Sequence, residues 1–158
     1  MGIYNNKIQS EYNPPKQWIL TRALSYQNDK IDIGALKDIG VNAAGNKITC
    51  KKGFKTDLAS VPRGIWWMIA PWDIARAAII HDLLYLRIRQ YRKKVRKSLG
   101  GENPETVNKA KKASDNVFLM AMKDSDPKIS NWKIKAAYYA VYLFGQWSII
   151  PKDGDPDV

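Results

Sequence analysis

The stretch AAIIHDLLYLRIRQ, residues 77–90, holds the chain's one histidine, His81, with Asp82 directly after it and Tyr85 four residues on. On an α-helix His81 and Tyr85 share a face, and Asp82 points about 100° away from them. A second carboxylate, Asp115, follows in KKASDNVFLMAM, close to the apolar side of a later helix. A buried carboxylate is costly unless it is paired or bound to a metal, so Asp82 calls for a cation, while Asp115 suits an imidazole N–H. These types together fit one chemistry. A neutral His81 takes a proton from water as general base. Asp115 behind it fixes the tautomer and stabilises the imidazolium. Asp82 beside it holds a hard cation such as calcium, which polarises a carbonyl. That is a set for water-mediated ester hydrolysis. The alternative role of the same residues is a satisfied core histidine in a rigid polar network.

Positioning such a set requires two helices held side by side. The first is expected over Ile74–Lys97, capped by Asp73, apolar nearly all round in its first half and strongly basic in its second, which should project into solvent. Upstream, TDLASVPRGIWWMIAPWD (56–73) reads as a short helix capped by Ser60, with Pro62 in its first turn and Pro71 as its stop. A third helix starts at Asn103-Pro104 and runs to about Lys123, with Val107, Ala110, Ser114, Val117, Phe118 and Ala121 inward. A fourth, about Ile129–Trp147, carries WKIKAAYYAVYLFGQW; not all of its aromatics can point one way, so some are exposed, as at protein interfaces. Before the helices, KQWILTRALSYQ (16–27) reads as a strand, and DKIDIGAL and NKITCKKGF as two more separated by the turn NAAGN. The expectation is an α+β fold: a small N-terminal antiparallel sheet followed by three or four helices in a single domain over 16–150. Residues 1–15 form an extended arm ending at NPP, and residues 151–158 a flexible tail.

A hydrophobic fraction of 45% places the chain among globular proteins rather than disordered ones. No apolar run is long enough to span a bilayer, and the polar N-terminus has neither a signal-peptide core nor a myristoylation pattern, so a soluble protein made in a cytoplasm is expected. Cys50 is the one cysteine, which excludes an internal disulfide; it reads as a small residue packed in a strand. The net charge of +11 is uneven, with seven basic residues and no acid in RIRQYRKKVRK, 87–97. Such a stripe attracts phosphates, anionic lipid or another polyanion; a solvated helix end is the plainer reading. With no base-reading motif, sequence-specific nucleic-acid binding is not expected.

The pattern HDLLY on one helix and SDNVF on the next resembles the active site of phospholipases A₂, and DIARAAIIHDLLY with ASDNVFLMAM is closer to the parvovirus-type phospholipase domain. The resemblance covers about residues 73–122. It implies His81 as general base, Asp82 as a calcium ligand, Tyr85 as an orienting hydroxyl and Asp115 as the carboxylate supporting His81. Those enzymes complete their calcium site with a glycine-rich loop before the helix, where this chain has SVPRGIWWMIAPW and a single glycine, Gly64. A second resemblance is to a bacteriophage and prophage family of unknown function, through GFKTDLASVP, then HDLLY, an Asp-containing helix and AYYAVYLFGQW, over about 16–147. It implies a phage protein near tail and lysis functions. It also adds Asp57, as a further metal ligand or an orienter of His81; capping of a turn is the other role open to Asp57 and Ser60. The leading expectation is a virion-associated structural or accessory protein, made in the bacterial host cytoplasm and bound to tail or connector subunits in an oligomeric assembly, whose phospholipase-like His-Asp site is catalytically weak or silent, because the glycine-rich loop that would supply the oxyanion site is missing. The alternative is a calcium-dependent phospholipase-type ester hydrolase acting on the host envelope.

Overall fold

A helix of 29 residues, Pro71–Leu99, runs through the middle of the protein; at 1.5 Å per residue it is about 43 Å long. In the computed structural model, residues 1–14, 17–56 and 71–156 are described, with 71–73 and 99 as backbone only. The described strands and α-helices are β1 (Ile3–Tyr4), β2 (Ser10–Asn13), β3 (Gln17–Leu20), β4 (Leu24–Gln27), α1 (Ile33–Lys37), β5 (Lys47–Cys50), β6 (Lys55–Thr56), α2 (Pro71–Leu99), α3 (Pro104–Lys123) and α4 (Asn131–Ser148), with a short 3-10 turn at Ala44–Asn46. The fold class is α+β: antiparallel strands first, then the long helices.

The strands form two three-stranded antiparallel sheets, in the orders β1-β4-β5 and β2-β3-β6. What reads as one strand over 16–27 is therefore two. The chain leaves one sheet after Leu20 and enters the other at Leu24, which pairs with Cys50. Residues 1–14 are not a separate arm either. β1 pairs with β4 and β2 with β3, so this segment supplies a strand to each sheet. It is also fastened to the helical half: Tyr4 donates its hydroxyl to the Ala121 carbonyl at 2.9 Å, and the Gly2 amide donates to Asp124 at 2.8 Å. DKIDIGAL is a helix rather than a strand. Asp32 accepts a hydrogen bond from the Ala35 amide at 3.1 Å, and this cap starts α1. The alternation of Ile31, Ile33 and Ala35 mimics strand spacing over too few residues to separate the two periods.

α2 begins at Pro71, so Asp73 lies inside it rather than before it. Its first half is apolar on nearly every side because it is covered on nearly every side. Ile74, Ala77, Ala78, Ile79, Ile80 and Leu84 are all buried, under β4 and β5 on one side and α3 on another. Cys50 sits on that seam, its thiol directed at the Ile79 carbonyl at 3.6 Å. Burial pushes the thiol pKa up, so Cys50 is an inert packing residue. α3 starts where its cap predicts, Asn103 accepting from the Glu105 amide at 2.9 Å, and its expected inner stripe is buried throughout.

The basic second half of α2 does not project freely. Ile88 and Val95 are buried, and the arginines are tied down. Arg89 holds Asp155 through Nε at 2.9 Å to each carboxylate oxygen. Arg92 makes a two-pronged pair with Glu102 at 2.8 Å and also donates to the Ile149 carbonyl. Asp155 is buried, and Gln90 donates to the Pro156 carbonyl at 2.9 Å, so the tail as far as Pro156 is fastened to α2 rather than free. The expected Ser60-capped helix and its tryptophans lie outside the described residues.

Candidate functional site

His81 is on α2 and Asp115 on α3, two helices packed against each other. His81 Nε2 lies 3.0 Å from Asp115 Oδ1, and the imidazole is fully buried. Tyr85, one turn along α2, donates its hydroxyl to the same oxygen at 2.7 Å. The other oxygen, Oδ2, accepts from Lys111 Nζ at 2.7 Å, one turn back on α3. The His81 ring packs against the rings of Tyr85 and Phe118, at centroid distances of 4.0 and 4.8 Å. The helix spacing that places His81 and Tyr85 on one face and Asp115 opposite thus brings three of the sequence-predicted residues into one cluster.

The electrostatics of this cluster have a definite sign. Burial is the largest influence on His81 and pulls its pKa below the usual histidine range, against the Asp115 carboxylate, which raises it. The imidazole is therefore neutral at pH 7. Burial pushes Asp115 upward, but hydrogen bonds from His81, Lys111 and Tyr85 together outweigh it, and its pKa falls below the usual carboxylate value. An ionised Asp115 accepts from every neighbour, so Nε2 is the nitrogen that carries the His81 proton. Nδ1 is then an unprotonated acceptor. Among the described residues it is also the one buried side-chain nitrogen or oxygen without a hydrogen-bond partner. Tyr85 stays protonated, its pKa driven up by burial and by the Asp115 charge.

Two residues that the sequence reading passes over complete the cluster. Lys111 bridges Asp115 to α4, donating also towards the Val141 and Tyr142 carbonyls at 3.3 and 3.4 Å. Its signal was present as a lysine four residues before an aspartate on a helix. Gly145 of α4 sits so close to Tyr85 that a β-carbon there would collide with the Tyr85 hydroxyl. The absent side chain is what lets α4 approach the cluster.

Asp82 faces elsewhere. It is half-buried, accepts from the Thr56 hydroxyl, and lines a cleft of about 770 Å³ with Gln17, Phe54, Arg89, Ser148 and Lys152. His81, Tyr85 and Asp115 are not among the cleft's described lining residues. Asp57 lies outside the described residues. Calcium takes six to eight oxygens, several of them carboxylate. Among the described residues no group of three or more acidic, His or Cys side chains could hold an ion. The described residues therefore do not by themselves make the calcium site that the phospholipase resemblance implies.

Residues 34–141 match the family described as "Protein of unknown function (DUF1353)", and the chain belongs to that family. No curated protein and no solved structure matches it.

Proposed function

We propose that this DUF1353 protein is an ester hydrolase of the phospholipase type, with His81 as general base and Asp115 as the residue that positions it. One observation carries this reading: among the described residues His81 Nδ1 has no hydrogen-bond partner, while Nε2 is held by an ionised carboxylate. A purely structural histidine would be expected to satisfy both nitrogens, because an unpaired buried acceptor costs about 1–3 kcal/mol.

In this scheme Nδ1 takes a proton from water and the resulting hydroxide attacks the ester carbonyl. The imidazolium, stabilised by Asp115, then returns the proton to the leaving alkoxide, so that acid and alcohol are released and His81 is again neutral. Tyr85 and Lys111 keep Asp115 ionised and oriented throughout. A phospholipid substrate comes from the resemblance in the HDLLY and SDNVF motifs, and no step here is routed through a metal. A place in a phage particle, beside tail or connector subunits, is compatible with this chemistry and is tested separately by looking for the chain in purified particles.

The direct test is fatty-acid release from phospholipid vesicles, with calcium supplied, by the wild type and by His81→Gln. Hydrolysis that falls by about 10²–10⁴ in the variant supports the reading. A folded wild type that releases no fatty acid contradicts it.

A further inference from the structure

Among the described residues, the outer face of α4 is left uncovered. Trp132, Tyr139, Tyr142, Leu143, Phe144 and Trp147 are each 48–59% exposed. Residues 132, 139, 143 and 147 recur at helical spacing and so form a ladder along one side, with Tyr142 and Phe144 flanking it. Soluble monomers rarely expose a contiguous apolar patch of this kind without using it. The inner side of the same helix is committed, since Ile134, Ala137, Val141 and Gly145 are buried against the rest of the fold.

We infer that this face of α4 seats the protein on the surface of an anionic lipid bilayer. Charge selects the occupant. From Pro127 to Lys152 the chain has four lysines and no carboxylate, and the whole chain carries +11. A second copy would bring like charge onto like charge, whereas anionic headgroups complement both the lysines and the net charge. The side chains fit as well. Trp and Tyr have apolar bodies and polar tips and are at home at the boundary between headgroup and acyl chain. Lys133, held 5.9 Å over the Trp132 ring, and Lys135, exposed beside it, can reach headgroups while the rings sink. No described helix is long and apolar enough to cross a membrane, so α4 lies on the surface rather than spanning it. The arginine-rich end of α2 is a poorer candidate, because Arg89, Arg92 and Arg96 are spent on Asp155 and Glu102. This inference does not depend on His81 being a base.

The test uses the full chain with vesicles of pure phosphatidylcholine and vesicles about one third phosphatidylglycerol, read by co-sedimentation and by tryptophan emission. The wild type should bind the phosphatidylglycerol vesicles with a blue shift. A Leu143→Ser, Trp147→Ser double variant, which alters exposed positions and should fold normally, should lose at least about tenfold in partitioning. Lys135→Gln should lose roughly fivefold. Three results would overturn the inference. One is absence of binding to phosphatidylglycerol vesicles at low salt. Another is equal binding by wild type and the double variant, which would make the attraction one of net charge. The third is a dimer in gel filtration that the double variant dissolves, which would make the face a contact between copies.

Discussion

Lys111 and Asp115 are joined at 2.7 Å one turn apart on α3, and through that contact the carboxylate behind His81 is tied to the backbone of α4. The lysine is mostly covered, so its hydrogen bond is of the charged, partly desolvated kind that matters for stability. Lys111→Met should cost about 1.5–3 kcal/mol in denaturant unfolding. Lys112→Met, at the exposed neighbouring position, should stay within about 0.5 kcal/mol of the wild type. Equal effects at both sites would mean that the contact contributes nothing.

Gly145→Ala probes the same junction from α4. The added methyl meets the Tyr85 hydroxyl, which must then shift off Asp115 or push α4 outward. Overpacking of this sort costs about 1–3 kcal/mol, although alanine is intrinsically the better helix former. A variant more stable than the wild type would show that the junction is looser than its geometry implies.

The cluster was legible where spacing on one helix decides it. His81 and Tyr85 are four apart, Asp115 sits near an apolar stripe, and the two helices have clear starts and stops, so their facing residues could be named in advance. Other features depend on partners far away in sequence. Arg89 meets Asp155 across 66 residues, and nothing local in PKDGDPDV shows that a basic helix end will hold it. Seven cations in 87–97 read as a free stripe, when Arg89 and Arg92 are structural. α1 was missed because its alternating Ile31, Ile33 and Ala35 are too few to tell period 2 from period 3.6. Asp82 was placed correctly on a different face from His81, but the Thr56 hydroxyl that meets it comes from a two-residue strand that no local pattern reveals.

The lowered pKa of His81 sets an acid limit on stability. Its value in the unfolded chain is about 6.5 and its folded value is lower. Between those two the unfolded state binds more protons, so the contribution of neutral His81 is complete above pH 6.5 and is lost as the pH falls towards the folded value. The slope there approaches about 1.4 kcal/mol per pH unit. His81→Gln should flatten the stability curve from pH 6.5 downward, until carboxylates such as Asp115 begin to titrate. A wild-type curve already flat over that interval would mean that His81 is not buried as a neutral base.

The fastening of the tail can be checked by Arg89→Ala. It removes both bonds to Asp155 and one to the Ser148 carbonyl, and should cost about 1.5–3 kcal/mol while opening residues 151–156 to proteolysis and amide exchange. Unchanged protection of the tail would show that Gln90, through the Pro156 carbonyl, and Lys93, which donates to the Asp155 carbonyl at 3.3 Å, hold it without Arg89.

Because the chain has a single histidine, its protonation state can be read without assignment, from nitrogen NMR of protein labelled in the imidazole ring. The account predicts one neutral tautomer at pH 7, with the proton on Nε2, coupled to Asp115, and Nδ1 bare. Asp115→Asn should disturb that state, and protonation of Nδ1 should set in only below pH 6.5. A proton on Nδ1 at pH 7, or an imidazolium at that pH, would contradict the assignment of His81 as a poised base and with it the proposed hydrolysis.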